Sequence, residues 1–228
     1  MEQRSKIAII VAGGSGSRMG SSIPKQFLDL SGKPVLWHTV NAFVSAFSDI
    51  RIVLVLPEVH FGYVEPWLHE FNTTAGVTLV KGGETRFHSV KNGLQEVNTP
   101  SVVFVHDGVR PLISTTLIRT CYEAALAKGS AIPVIDMKDS IRQVEGERNK
   151  AVDREQFKII QTPQTFLSEW LLPAFELPYD PLFTDEATVV ERQGHRVHLV
   201  PGEEANIKIT RPLDLTIAGA LLKEKNVL

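Results

Sequence analysis

Short β-branched runs, each closed by glycine or a charged turn and followed by a longer stretch of helical period, govern what this chain can become. KIAIIVAG, RIVLVLP, VTLVKGG, SVVFVHDG and SAIPVI are predominantly apolar rather than alternating, the pattern of strands covered on both faces. Between them stand PVLWHTVNAFVSAF, EVHFGYVEPWLHEF (interrupted near Pro66), RFHSVKNGLQEV and STTLIRTCYEAALAKG, with apolar residues at helical spacing. Strands that alternate with helices pair in parallel through right-handed crossovers. The expectation is a single α/β domain over residues 1–228: a Rossmann-like open, mostly parallel twisted sheet with helices on both faces.

The rhythm breaks at about residue 136. DMKDSIRQVEGERNKAVDREQFKIIQTPQ holds two short alternating stretches around the polar turn EGERNK, and has too few apolar residues to join the sheet core. Residues 136–156 are predicted to form a protruding β-hairpin arm. Such an arm needs a surface to pack on, and in a chain this small that surface is a second copy exchanging arms, which predicts a homodimer. The alternation resumes with the helix TDEATVVERQG, the strand RVHLVPG and a last helix from Pro212 to Lys223.

Composition excludes several partners. A formal charge of −2 lacks the basic surplus of a nucleic-acid binder. The one cysteine, Cys121, allows no internal disulfide and no thiolate metal site, and its helical setting predicts packing. No apolar run approaches the ~18 residues of a membrane span. The N-terminus does not have the shape of a signal peptide, so a cytoplasmic location is expected.

In open α/β sheets ligands sit beyond the carboxyl ends of the strands, so the segments immediately after the strands outline a site. These are AGGSGSRMG, GGETRFHS, HDGVRP and NIKITRP. The first is not a P-loop, because no lysine follows Gly20. Nor is it a dinucleotide fingerprint, because Met19 stands where a third glycine is needed. What remains is a nest of amides able to cradle phosphate oxygens, with Arg18 and Lys25 as charge partners. Asp107, at the end of a buried run and followed by glycine, is placed either to cap a turn or to hold a divalent cation, and His106 reads as its packed neighbour. With Arg110 and Lys208 the strand ends carry several cations, and no protein nucleophile stands among them. That combination favours phosphoryl or nucleotidyl transfer, where positioning and charge neutralisation do most of the catalysis.

AGGSGSRMG…PKQFLDLSGKPVL, GGETRFHSV, VHDGVRP, QTPQTF, FTDEA and NIKITRP stand in the order found in 2-C-methyl-D-erythritol 4-phosphate cytidylyltransferases, and the chain resembles that family from Ile7 to about Leu221. The resemblance implies transfer of a cytidylyl group from CTP to a polyol phosphate, with Mg²⁺ and a homodimer that shares its active sites. It places the triphosphate on Ala12, Gly13, Gly14, Ser15 and Gly16, and Arg18 and Lys25 at the reacting α-phosphate. It gives Gly83, Glu84 and Ser89 to the cytosine ring and ribose. Asp107 would hold the metal and contact the acceptor, with Arg110 and Thr162 nearby, while Lys208 approaches the acceptor and the reacting phosphate. Ser140 and Arg154, on the arm, would bind the acceptor in the neighbouring subunit's site. Ser140 stands where the family often has threonine, and Glu84 where many members have aspartate.

Two further readings stand beside this one. Ribitol-5-phosphate cytidylyltransferases share the glycine loop and the PKQF and NIK blocks, whereas GGETRFHSV and FTDEA stand closer to the methylerythritol family. A nucleotide-binding regulator without catalysis is a reading of another class, against which the cations Arg18, Lys25 and Lys208 speak. An NAD-dependent oxidoreductase is a third.

Overall fold

The computed structural model of the protein describes residues 4–14, 23–71 and 73–225. In chain order the first half comprises β1 (Ser5–Val11), a 3-10 turn over Lys25–Phe27, β2 (Asp29–Leu30), β3 (Lys33–Pro34), α1 (Val35–Ala46), β4 (Arg51–Leu56), a second 3-10 turn over Glu58–Tyr63, α2 (Glu65–Leu68), β5 (Val77–Lys81), α3 (Arg86–Leu94) and β6 (Ser101–Asp107). The second half comprises α4 (Thr115–Lys128), β7 (Ser130–Asp136), β8 (Arg142–Glu145), β9 (Arg148–Ala151), β10 (Lys158–Ile160), β11 (Gln164–Leu167), α5 (Ser168–Ala174), α6 (Glu186–Arg192), β12 (Leu199–Pro201) and α7 (Pro212–Lys225).

β1 lies at the centre, parallel to β4 on one side and to β6 on the other, and β5 extends the β4 edge in parallel. Successive side chains of a strand point to opposite faces, and here both faces are covered, which is why the runs read as continuously apolar. Ala8, Ile10, Leu54 and Phe104 pack with Phe43 and Ile118 from α1 and α4. Ile9, Val53 and Val103 pack with Val90 of α3, Leu171 of α5 and Val190 of α6. Each of the larger of these side chains, fully buried, contributes about 1.5–3 kcal/mol relative to exposure. Cys121 lies within the first of these clusters, where burial pushes its thiol up to about 12, as befits a packing residue. Among the described residues no helix is long and apolar enough to cross a membrane.

The hairpin expected at 136–156 is present as β8 and β9, which pair antiparallel around Gly146 and carry exposed side chains throughout. The expectation that the whole segment after residue 136 stays off the sheet is corrected by the two strands beyond the hairpin. β10 pairs antiparallel with the end of β7, and β11 inserts antiparallel between β6 and β7, buried from Gln164 to Phe166. The reason is geometric. β7 lies one strand away from β6, and β11 fills the gap with backbone hydrogen bonds that need no apolar run. The sheet is therefore mixed on that side and parallel on the other. A third apolar cluster of Leu30, Val35, Val109, Leu112, Ile209 and Ala218 ties α7 and the segment before it to the rest.

Candidate active site

Progress of the chain across the sheet reverses between β1 and β6, and the carboxyl ends of these two strands border a cavity of about 600 Å³. Its walls come from residues 12–14, Lys25, residues 82–86, Asp107 and Lys208, so distant parts of the sequence converge here.

The first wall is the glycine loop. The Val11 carbonyl accepts from the Gly108 amide at 2.9 Å, and the Ala12 amide donates to the Val55 carbonyl at 2.8 Å. A Cβ on Gly108 would come within 2.9 Å of Leu36 Cδ1 and 3.0 Å of the Ala12 Cβ, so glycine is what allows the two strand ends to close up. Gly13 faces Ser89, and Gly14 faces the Lys25 side chain, with Cε 3.8 Å from where a Cβ would stand. Ser15, Gly16 and Arg18 lie outside the described residues.

The opposite wall continues from β5. The Gly82 amide donates to the Leu56 carbonyl at 3.0 Å, and the Gly83 amide to Ser89 Oγ at 3.1 Å. A Cβ at Gly83 would lie 2.4 Å from that of His88, a close approach that only glycine permits. Thr85 caps α3 by accepting from the His88 amide. Glu84 is exposed at this rim, and Lys81 and Glu58 pair across the mouth at 3.0 Å.

At the floor, Asp107 is a charge hub. Its Oδ2 lies 3.2 Å from Arg110 Nε and 3.1 Å from Lys208 Nζ, while Oδ1 faces Arg86 Nε at 3.5 Å. Burial alone would raise the pKa of this carboxyl; Arg86, Lys208 and Arg110 together hold it well below the usual carboxylate range. Arg86 in turn forks onto the buried Glu186 at the start of α6, with Nη2 donating to Oε2 at 3.0 Å and Nη1 donating to Oε1. Burial lifts Glu186 above its ordinary value against the pull of Arg86. Lys25 reaches the same floor from the other side, its Nζ donating to the Ile209 carbonyl at 2.9 Å, one residue from Lys208.

Behind Asp107 a buried network sets its backbone. Thr162 Oγ1 accepts from the Asp107 amide at 3.1 Å and lies 3.0 Å from His106 Nδ1, and His106 Nε2 lies 3.3 Å from the Arg110 carbonyl. A carbonyl only accepts, so Nε2 carries the proton and Nδ1 accepts from the threonine hydroxyl. Burial pushes His106 down to about 3, so the ring is neutral across the physiological range, as this network requires.

The expected residues thus divide. Ala12, Gly13, Gly14, Lys25, Gly83, Glu84, Ser89, Asp107 and Lys208 all line the cavity. Thr162 stands behind the wall: it is 5% exposed, and its hydroxyl is engaged on both sides by Asp107 and His106. Arg110 likewise stands behind the wall, held by Asp107 and by the Asn206 carbonyl at 2.8 Å. Ser140 and Arg154 are exposed on the arm, away from this cavity, and Arg154 donates to the Lys138 carbonyl at its base. The two oxygens of Asp107, the expected metal ligand, face Arg86, Arg110 and Lys208. Among the described residues no group of three His, Cys, Asp or Glu side chains could hold a metal.

Sequence reading overlooked the braces. Arg86 and Glu186 sit inside the blocks GGETR and TDEA, but no local pattern pairs residues this far apart in the chain. Asp214 Oδ2 accepts from the Thr210 amide at 2.7 Å, the Thr210 hydroxyl at 2.7 Å and the Arg211 amide at 2.8 Å, which locks the turn after Lys208. Asn206 Nδ2 donates to the Thr162 carbonyl at 2.9 Å and fixes the same segment from the other end.

Residues 6–224 match the family model described as IspD, 2-C-methyl-D-erythritol 4-phosphate cytidylyltransferase. The chain is 47% identical over 214 residues to the 2-C-methyl-D-erythritol 4-phosphate cytidylyltransferase of Bacteroides thetaiotaomicron, covering 94% of this chain and 98% of that one. It is 47% identical over 223 residues to the protein of that name from Porphyromonas gingivalis W83, covering 97% and 99%. Among solved structures, the 4-diphosphocytidyl-2C-methyl-D-erythritol synthase of Anaerococcus prevotii superposes with a TM-score of 0.83 at 27% identity, covering 96% of each chain. The 2-C-methyl-D-erythritol 4-phosphate cytidylyltransferase of Thermus thermophilus does so with a TM-score of 0.73 at 32% identity, covering 94% and 98%.

Proposed function

The chain belongs to the 2-C-methyl-D-erythritol 4-phosphate cytidylyltransferase family, and from that premise we infer how its site works. It is an enzyme that transfers a cytidylyl group from CTP to 2-C-methyl-D-erythritol 4-phosphate in isoprenoid biosynthesis by the non-mevalonate route. The observation that carries the mechanism is the convergence of Lys25 and Lys208 on one crevice, beside a loop of glycine amides.

The nucleophile is the acceptor's phosphate monoester, whose second pKa is about 6, so it is largely dianionic near neutral pH. No protein base is required. A phosphate oxygen of the acceptor attacks the α-phosphorus of CTP in line; the new P–O bond forms as the bond to the β-phosphate breaks, and pyrophosphate leaves with the electron pair. The barrier is dominated by repulsion between two anions, which Lys25, Lys208 and Arg18 lower. Gly13 and Gly14 hold the triphosphate, and Gly83, Glu84 and Ser89 face the nucleoside. Arg86, Glu186 and Arg110 act through Asp107, keeping its carboxylate oriented so that Lys208 is held over the crevice. A divalent cation brought in with CTP would neutralise part of the triphosphate charge.

The arm supplies the acceptor site of a second copy. Val144, Phe157, Ile159 and Ile160 are exposed apolar residues on the arm and its base, a patch that favours a partner surface. Arg154→Ala is expected to raise the KM for the acceptor by roughly tenfold to a hundredfold, the value of a hydrogen bond to a charged group, with the KM for CTP nearly constant. Mixing Arg154→Ala chains with Lys25→Ala chains after co-refolding is expected to restore part of the activity; no restoration counts against shared sites.

A pyrophosphate-release assay over four nucleoside triphosphates and two acceptors tests the whole assignment. CTP with methylerythritol phosphate is expected to give the highest kcat/KM. Faster turnover of ribitol 5-phosphate would transfer the enzyme to the neighbouring specificity.

A further inference from the structure

Gln26 sits in the 3-10 turn beside Lys25, is fully buried, and lines the crevice, yet the transfer step has no use for it. Its Nε2 donates to the Ala12 carbonyl at 2.8 Å, and its Oε1 is buried without a partner among the described residues. We propose that Gln26 is the positioning residue of the triphosphate loop: by gripping the Ala12 carbonyl it turns the Gly13 amide outward as the first donor to the phosphates of CTP. The proposal rests on the chain's being a CTP-dependent transferase.

Two successive peptide planes carry the effect. The peptide before Ala12 is held at both ends, its Val11 oxygen by the Gly108 amide and its Ala12 nitrogen by the Val55 carbonyl. The next plane joins Ala12 to Gly13 and is trans. In a trans peptide the carbonyl and the amide hydrogen point in opposite directions. Pulling the Ala12 oxygen toward the interior therefore sends the Gly13 hydrogen the other way, into the cavity, where among the described residues it has no hydrogen-bond partner. Without Gln26 nothing described holds this plane, because Gly13 has no side chain to restrict it.

The unpartnered Oε1 is a second, independent sign that the side chain serves ligand binding. A buried acceptor without a donor is destabilising, and such groups are uncommon in settled interiors. Phosphate oxygens only accept, so they cannot satisfy it; a water brought in with the ligand can. Asparagine is too short to grip Ala12 from this turn, methionine fills the space without a donor, and glutamate replaces the donor by an acceptor.

The test compares ligands that do and do not carry phosphates. Wild type, Gln26→Met and Gln26→Glu are titrated with cytidine, CMP and CTP by NMR, alongside thermal unfolding of each protein without ligand. Gln26→Met is expected to weaken CTP by about tenfold or more, the value of a hydrogen bond to a charged group, and cytidine by less than about twofold. Gln26→Glu is expected to lower the CTP-to-cytidine affinity ratio further, because its carboxylate repels both the Ala12 oxygen and the triphosphate. An affinity ratio unchanged in both variants overturns the proposal, as does failure of both to fold, which would assign Gln26 to the core alone. If only Gln26→Met fails to fold, Gln26→Glu decides by the same ratio. A wild-type chain that binds CTP no better than cytidine would sink the family's triphosphate reading itself.

Discussion

Replacing Lys25 with alanine is expected to lower kcat by about 10²–10³-fold, the loss seen when one preorganised donor to a developing charge is removed. CTP affinity, measured directly by titration, is expected to change far less, because the glycine amides and the wall after β5 remain. The side chain is preorganised: Nζ donates to the Ile209 carbonyl at 2.9 Å, and the stem lies beside Gly14. It therefore needs little rearrangement when charge builds at the α-phosphorus, and its contribution falls on the transition state rather than on the bound substrate. Single-turnover pyrophosphate release separates the chemical step from binding and product loss. Equal losses in kcat and in CTP affinity would instead make Lys25 a binding residue and would favour a non-catalytic nucleotide regulator. Lys25→Arg keeps the charge but not the compact donor, and should recover only part of the rate.

The second large effect is an acid limb of stability centred on His106 and Asp107. His106 is held at about 3 by burial, against an ordinary value near 6.5 in the unfolded chain. Below about pH 6.5 the unfolded chain binds a proton that the folded one refuses, so stability falls as pH drops from there toward 3, by about 1.4 kcal/mol per pH unit. Between pH 6.5 and 5 this one ring costs about 2 kcal/mol. Asp107 adds to the loss lower down. Its depressed pKa makes its contribution complete above the ordinary carboxylate range, and that contribution drains away as pH falls below about 4 toward the folded value. His38, also lowered by burial, adds a share of the same sign, so the informative comparison is between wild type and His106→Gln. Urea unfolding at pH 7, 6 and 5 should show a shallower pH slope in the variant, whatever its absolute stability. Identical slopes would mean that His106 is not held neutral by the fold.

Much of the sheet was legible because burial on both faces leaves no room for polar alternation. β1, β4 and β6 announce themselves as continuous apolar runs, and the glycines after β1 and the aspartate that closes β6 mark the end where a ligand sits. β11 was illegible for a matching reason. Its Gln164 and Thr165 are buried, but their polar groups find partners: Gln164 donates to Asp185 and accepts from the Ala187 amide, while the backbone pairs with β6 and β7. A strand that buries satisfied polar side chains carries no periodic signature.

The site shows the same division. Lys25, Asp107 and Lys208 could be singled out because cations and a carboxylate at strand ends are costly unless they meet an opposite charge. The setting of Thr162 and Arg110 could not be read from pattern. A hydroxyl or a guanidinium has the same formula whether it faces the crevice or the wall behind it. The neutral His106 ring and the carbonyls of Arg110 and Asn206 decide which way each points.

By itself, then, the sequence determined the alternating α/β sheet, the glycine turn after β1 and the set of charges available at its carboxyl end, since strand periodicity and turn chemistry act between near neighbours in the chain. Tertiary structure alone decided that Asp107 meets Arg86, Arg110 and Lys208, that Glu186 pins Arg86, and that Gln26 holds Ala12. Electrostatic and hydrogen-bond energies depend on distance in space, and the separation of these groups is set only when the strands are laid side by side.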